Sequence, residues 1–227
     1  MSKSLWLASC IHVGARAFEE NKFKRYIKAA QAGKWDVAFL GDLLDFGNCF
    51  GTKHISSVWD NVLKPQEQLD RFVELVHPIK NQIVAILRGN HDDRGFNVTG
   101  LKVAKIIADE LDAPYYANLK ILNWNGFNVF MAHGQSSSPF ADFDKVLKTY
   151  DGLDAIVLGH THEWMYKAVK KYKSGGKSDL VHLVRAGSFL GYEDYAQKAL
   201  YQPTPIGSPI IRAHDDGLEI KYGLASI

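Results

Sequence analysis

The chain has 227 residues, a net charge of +2 and 46% hydrophobic side chains, so it is long enough for one α/β domain and apolar enough to fill its core. With a sequence pI of about 8.4, its charge is too mild to argue by itself for a nucleic-acid partner. Two cysteines give no disulfide framework and point to a reducing, cytoplasmic setting, and no apolar run approaches the roughly 20 residues of a membrane span.

Leu5-Trp6-Leu7-Ala8 reads as a buried strand ending in Ser9-Cys10-Ile11-His12. Leu7 to Cys10 also resembles a lipoprotein cleavage site, but the apolar stretch before it is shorter than the roughly 7–15 residues a signal region needs. Phe18 to Ala32 carries Phe23, Tyr26, Ile27 and Ala30 at helical spacing, with Gly33 as a natural stop. Val37 to Leu40 is the second strand, followed by Gly41-Asp42-Leu43-Leu44-Asp45 and a loop over 46–56. Val58 to Val76 reads as a long helix that Pro65 either kinks or divides. Ile83 to Leu87 is the third strand; Gly89-Asn90-His91-Asp92 follows it, and Val98 to Leu111 reads as a helix. Leu119 to Asn123 and Phe127 to Ala132, joined at Asn125-Gly126, form a β-hairpin closed by His133-Gly134. A polar loop, Gln135 to Ser138, leads to a helix around Phe140 to Thr149. Ala155 to Leu158 is a further strand ending in Gly159-His160-Thr161-His162. Trp164 to Tyr172 and Leu180 to Arg185 read as a second hairpin, and short strands near Ile210 to Ala213 and Leu218 to Tyr222 finish the chain. Residues 1–227 show no repeat or linker and read as a single domain. Strands alternating with helices and followed by hairpins imply a mixed α/β architecture, in which ligands collect outside the carboxyl ends of the strands.

Five strand ends carry ligand-type residues: Cys10 and His12, Asp42, Asn90 and His91, His133, and His160 and His162. The glycines in Gly41-Asp42, Gly89-Asn90 and Gly159-His160 are expected to allow the sharp exit that turns a side chain into a site. A lone histidine after a strand is more often a hydrogen-bonded core or surface residue. Five such coincidences in one chain reverse that preference. Imidazoles and carboxylates in this number suit manganese, iron or zinc better than calcium. They exceed one tetrahedral site, whereas two metals sharing Asp42 would use them all. Two ions roughly 3.5–4 Å apart can clamp a phosphoryl group and generate hydroxide from a bridging water, which is the chemistry of phosphate-ester hydrolysis. A structural zinc protein fits poorly, because the histidines are spread over the whole chain.

In order, Cys10-x-His12, Gly41-Asp42-Leu43-Leu44-Asp45, Gly89-Asn90-His91-Asp92, His133-Gly134 and Gly159-His160-Thr161-His162 resemble the motifs of the calcineurin-like metallophosphoesterases. The Ala186-Gly187-Ser188 turn is also similar, and the length and the tail Tyr201 to Pro209 resemble the small phage and bacterial versions. The resemblance implies a four-layer α/β/β/α sandwich of two mixed sheets flanked by helices, without a capping domain. It implies two divalent metals, manganese first with zinc or iron as alternatives. One would be held by position 10, His12, Asp42 and His162, the other by Asp42, Asn90, His133 and His160. A metal-bridging hydroxide would attack the phosphate, with His91 as general acid or phosphate-oxygen donor. Asp45 or Asp92 would orient His91 from behind, although Asp45 reads equally well as a helix-cap or loop carboxylate.

The family has aspartate where this chain has Cys10. A thiolate is softer than a carboxylate and must lose a proton to bind, so Cys10 is a ligand that biases the first site toward zinc or iron, a spectator, or the mark of lost activity. An engineered or accidental change is a further reading. The expectation adopted is a retained site with altered or weaker metal binding. The implied substrate is a phosphodiester, such as a nucleic acid or nucleotide, or another phosphoester; the alternative is a metal-binding or scaffold protein with little turnover. Lys167, Lys170, Lys171, Lys173 and Lys177 could contact phosphates or simply solvate an edge hairpin. Phe46, Phe50, Trp59, Phe140 and Tyr192 could line a base-stacking cleft or pack in the core.

Overall fold

The computed structural model describes residues 3–46, 62–138, 140–172, 178–192, 197–198, 200 and 202–224. Its strands are β1 (Lys3–Ala8), β2 (Asp36–Leu40), β3 (Ile83–Leu87), β4 (Tyr115–Tyr116), β5 (Leu119–Trp124), β6 (Phe127–Ala132), β7 (Ala155–Leu158), β8 (Trp164–Tyr172), β9 (Ser178–Ala186), β10 (Pro209–His214) and β11 (Gly217–Tyr222). Its α-helices are α1 (Glu20–Gly33), α2 (Pro65–Val76), α3 (Asn90–Thr99), α4 (Val103–Glu110) and α5 (Ala141–Thr149), and a 3-10 helix spans His77–Gln82. None of the described helices is long and apolar enough to cross a membrane.

Two mixed sheets face each other. One runs β11-β10-β1-β2-β3-β4 with β1 to β4 parallel, and the other runs β5-β6-β7-β9-β8 with β6, β7 and β9 parallel. Both faces of the central strands are covered, which is why they read as unbroken apolar runs rather than alternating ones. In β1, Leu5 and Leu7 point between the sheets, where they meet Val129, Met131, Val157 and Val184. Trp6 and Ala8 point the other way, into a core shared with Phe23 and Tyr26 of α1, Phe72 of α2 and Ile107 of α4. A third core lies outside the second sheet, where Phe130, Ile156 and Leu183 pack on Phe143 and Val146 of α5. These cores separate the four expected layers, helix, sheet, sheet and helix. The Tyr222 hydroxyl of the first sheet donates to the carbonyls of Met165 and Arg185 in the second and ties their edges together.

Two helices differ from the sequence reading. Pro65 neither kinks nor divides the helix ending at Val76 but begins it, at the position where a missing N–H costs nothing; residues 58–61 of the expected helix lie outside the described residues. The helix expected over 98–111 is two, because Gly100 adopts a left-handed φ of 74° and closes α3. The Asn90-His91-Asp92 run is therefore not a loop ahead of a helix but the first turn of one. The turn at Asn125-Gly126 is as expected, with both residues at positive φ (50° and 86°), which suits a tight hairpin.

Candidate metal centre

The exits of β1, β2, β3, β6 and β7 converge on one edge of the two sheets. Beyond β1 and β2 the backbones stay zipped: Cys10 N–H donates to Gly41 O, and Ile11 and His12 N–H both donate to Asp42 O. Cys10, His12, Asp42, His160 and His162 all sit at left-handed φ, between 51° and 74°. Such backbone costs roughly 1–3 kcal/mol per residue, and it persists only where the surroundings hold it. The glycine expectation needs correcting in part. Gly41 does use a positive φ (87°). Gly89 is extended instead, and a Cβ there would lie 2.3 Å from the Asp42 backbone nitrogen. A Cβ on Gly159 would lie 2.0 Å from Ser9 Oγ. Those two glycines are required by close approach, not by left-handed geometry.

The donor atoms meet in two groups that share Asp42. His12 Nε2 lies 3.2 Å from His162 Nε2 and 3.9 Å from Asp42 Oδ2. His133 Nε2 lies 3.1 Å from Asp42 Oδ2 and 2.9 Å from Asn90 Oδ1, which is also 2.9 Å from His160 Nδ1. Cys10 Sγ joins both groups, lying within 4.8 Å of ligand atoms of His12 and His162, and of Asp42 and His133. Hydrogen bonds select which ring nitrogen faces inward. His133 Nδ1–H donates to Leu40 O at 2.7 Å and His12 Nδ1–H to Asp45 Oδ1 at 3.2 Å, so Nε2 of each is turned into the cluster.

A divalent ion fits this arrangement. Ligand atoms at right angles around an ion with bonds of about 2.1 Å stand about 3.0 Å apart; four of the contacts above run from 2.9 to 3.2 Å, and the fifth, His12 Nε2 to Asp42 Oδ2, is wider at 3.9 Å. The electrostatics agree. Burial and the neighbouring His12 drive the His162 imidazole down to about 3, and burial with His91 lowers His12, so both stay neutral with lone pairs available. Burial opposes charge on Asp42, but His133, His91 and His12 hold its carboxyl well below the usual range.

His91 borders these groups, and a ring nitrogen of it lies within 4.8 Å of ligand atoms of His12 and Asp42. Its N–H donates to Asp42 Oδ1 at 2.8 Å, and its Nδ1 meets Asp45 O at 2.7 Å and Asp45 Oδ1 at 3.3 Å. Burial works against its charge, yet Asp42 and Asp45 raise its pKa overall. Asp45 thus contacts both His12 and His91, the position expected of a residue that orients His91. Asp92 makes its hydrogen bonds elsewhere. Its Oδ2 accepts the N–H groups of Gly89 and Asp42, capping α3 and pinning the Asp42 backbone. Burial, with Asp42 nearby, pushes the Asp92 carboxyl up to about 7.

Three supporting residues, Arg185, Asp142 and Arg94, escape the sequence reading, and a fourth, Ser188, enters it only as part of a turn. Arg185, fully buried, donates Nη1 to Gly159 O and Nη2 to Ser138 O and lies 4.9 Å over the Phe143 ring. Asp142 Oδ2 accepts the N–H groups of Gln135 and Ser136 and so fixes the loop after His133. Ser188 Oγ donates to Cys10 O at 2.8 Å. Arg94 Nη1 lies 3.2 Å from His91 Nδ1, one helical turn along α3. The signal for Arg185 was a charge at the end of an apolar strand, immediately before the Ala186-Gly187-Ser188 turn.

Two expectations about the surroundings change. Lys171 is engaged within the fold, where its Nζ donates to the carbonyls of Leu147 and Tyr150 and pairs with Asp151 at the end of α5. Lys167 is exposed over the Phe140 ring, and Lys173 and Lys177 lie outside the described residues. Phe46 packs in the core between α2 and α4, Phe140 and Tyr192 are exposed, and Phe50 and Trp59 lie outside the described residues.

A family model for calcineurin-like phosphoesterases matches residues 3–164. Among solved structures, an archaeal phosphodiesterase superposes with a TM-score of 0.54 at 12% identity, over 97% of this chain and 99% of that one. Yfce, a phosphoesterase from E. coli, gives 0.48 at 18% identity over 95% and 90%. Zinc-bound Vps29 from Entamoeba histolytica gives 0.44 at 14% over 97% and 98%; these last two are too distant in shape to carry an argument. No curated protein sequence matches the chain.

Proposed function

The chain belongs to the calcineurin-like phosphoesterases, hydrolases that work with divalent metal, and from this premise we propose that it cleaves phosphodiesters with His91 as the general acid. The single observation that carries this reading is the hold on His91. Asp45 takes Nδ1, leaving Nε2 for the substrate, and although burial opposes charge on the ring, Asp42 and Asp45 raise its pKa beside the donor cluster. His12, Asp42, Asn90, His133, His160 and His162 are the residues that would hold metal, with Cys10 at the first group. Bound divalent metal supplies an activated water and offsets charge on the phosphoryl oxygens.

The chain's own residues do the rest. Asp42 links the two functions, because Oδ2 faces the metal-holding nitrogens while Oδ1 fixes the backbone of His91. The backbone of His91 is thereby tied to the same carboxylate that faces the metal-holding nitrogens. Asp45 supports the charge that His91 carries before it gives up its proton to the departing alkoxide. Arg94 Nη1 lies 3.2 Å from His91 Nδ1, on the ring edge away from Nε2, and its charge opposes the carboxylates that favour protonation of the ring. The archaeal phosphodiesterase of the same fold makes diesters the first class to test.

The leaving group provides the test. A p-nitrophenolate departs without a proton, whereas an alkoxide does not. With divalent metal supplied, His91→Ala is expected to lower kcat about 10²–10⁴-fold on a dinucleotide and far less on bis-p-nitrophenyl phosphate. Equal losses on both would make His91 a phosphate-oxygen donor instead. No hydrolysis of either ester with any divalent metal would overturn the phosphodiesterase reading.

A further inference from the structure

The sulfur of Cys10 stands where two sets of metal-type donors overlap. Its ligand-type neighbours are nitrogens of His12, His162 and His133 and an oxygen of Asp42, all within 4.8 Å in their groups. The residue is fully buried, and its backbone is fixed on both sides. Cys10 N–H donates to Gly41 O, while Cys10 O accepts Ser188 Oγ–H at 2.8 Å and Phe189 N–H at 3.0 Å. With φ held at 51°, the side chain is committed to the cluster. From outside, Ser9 Oγ lies 3.4 Å from the sulfur and the His160 backbone N–H favours its charge, but burial and Asp42 push the free thiol up, so a bound ion must displace its proton. A buried cysteine that merely fills space has apolar neighbours; this one is ringed by imidazole nitrogens, a carboxylate and hydrogen-bonding groups.

We propose that Cys10 Sγ is a metal ligand and that it makes this centre selective for a thiophilic divalent ion, zinc, iron(II) or cobalt(II), over manganese and magnesium. The donor set supports this independently of the sulfur. Four imidazoles, His12, His133, His160 and His162, outnumber the oxygen donors Asp42 and Asn90, and nitrogen-rich sites already favour the later transition metals. Manganese and magnesium prefer oxygen, so replacing an oxygen donor with sulfur weakens them while it strengthens zinc. The bound thiolate would keep its two outside partners, the same kind of support that sets ligand basicity in other sites.

The inference deepens the phosphoesterase reading, because it concerns the same donors, and its test reads metal binding rather than turnover. The protein is stripped with chelator and reloaded with cobalt(II). A near-ultraviolet sulfur-to-cobalt charge-transfer band is expected. It disappears in Cys10→Ser, which is close to isosteric, and persists in Cys49→Ser, which removes the other cysteine of the sequence. In competition dialysis, Cys10→Asp is expected to shift the zinc-to-manganese ratio toward manganese by about tenfold or more. A missing band in the wild-type protein, a band that survives Cys10→Ser, or an unchanged ratio in Cys10→Asp would each overturn the inference. A clear band in a protein that hydrolyses no phosphodiester would uphold it and remove the phosphodiesterase reading alone.

Discussion

The two halves of the centre are held by different means. Cys10, His12, Asp42, His160 and His162 occupy strand exits with left-handed backbone, whereas Asn90 and His91 ride the relaxed first turn of α3. The strained half is kept in place by hydrogen bonds reaching across the fold: Ser188 to Cys10, Arg185 to Gly159, and Asp45 to His12. The helical half is held by the cap from Asp92, the grip of Asp45 on His91 and the Asp42 carboxylate that accepts His91 N–H. The division matches the chemistry. Ligands can tolerate backbone strain because a bound ion adds to what holds them, but a proton donor must stay in place whether or not an ion is bound.

Breaking the link between the halves is expected to have the largest effect. Asp42 serves both, with Oδ2 toward His133 and Oδ1 on His91 N–H. Asp42→Asn should therefore lose bound metal and lower kcat about 10³-fold or more. Metal content by elemental analysis and hydrolysis rates check this together; an Asp42→Asn protein with full metal and only a mild rate defect would show that the halves are independent. Metal removal comes next. Chelation should speed hydrogen exchange at the amides of Ile11, His12 and Val13, which bond to the β2 exit, while the α3 amides that follow Asp92 keep their protection. Uniform loosening of both segments would contradict the comparison. Lys171 lies outside both halves, and its removal is expected to do least. Lys171→Ala should cost about 1 kcal/mol in a denaturant titration, from the lost cap on α5, and leave hydrolysis unchanged. A drop in substrate affinity would instead return Lys171 to the phosphate-binding role that its place in a lysine-rich hairpin suggested.

How far the sequence could be read follows the reach of each interaction. The runs Ile83–Leu87 and Ala155–Leu158 announce their strands because burial on both faces leaves no polar interruption. The ligand types were legible because each stands directly after such a run. The interactions that choose among roles were not, because they join distant parts of the chain. Asp92 and Asp45 look interchangeable as neighbours of His91, yet Asp92 caps the residue three before it and bonds the Asp42 backbone, 50 positions away. Arg185 reaches Gly159 and Ser138 across 26 and 47 positions, with no local pattern to report it. Gly100 was visible, but the apolar spacing on its far side masked the break between α3 and α4.

The bond from Ser188 to the Cys10 carbonyl spans 178 residues. During synthesis from the N-terminus at roughly 5–20 residues per second, Cys10 and His12 exist on the order of 10–40 s before Ser188 does. His133, His160 and His162 also arrive late in that interval. The early thiol and imidazole therefore wait, without their lock and without most of their companions, in whatever metals the surroundings offer. The first donors of the centre and the hydrogen bond that fixes them are thus brought together only when nearly the whole chain is present.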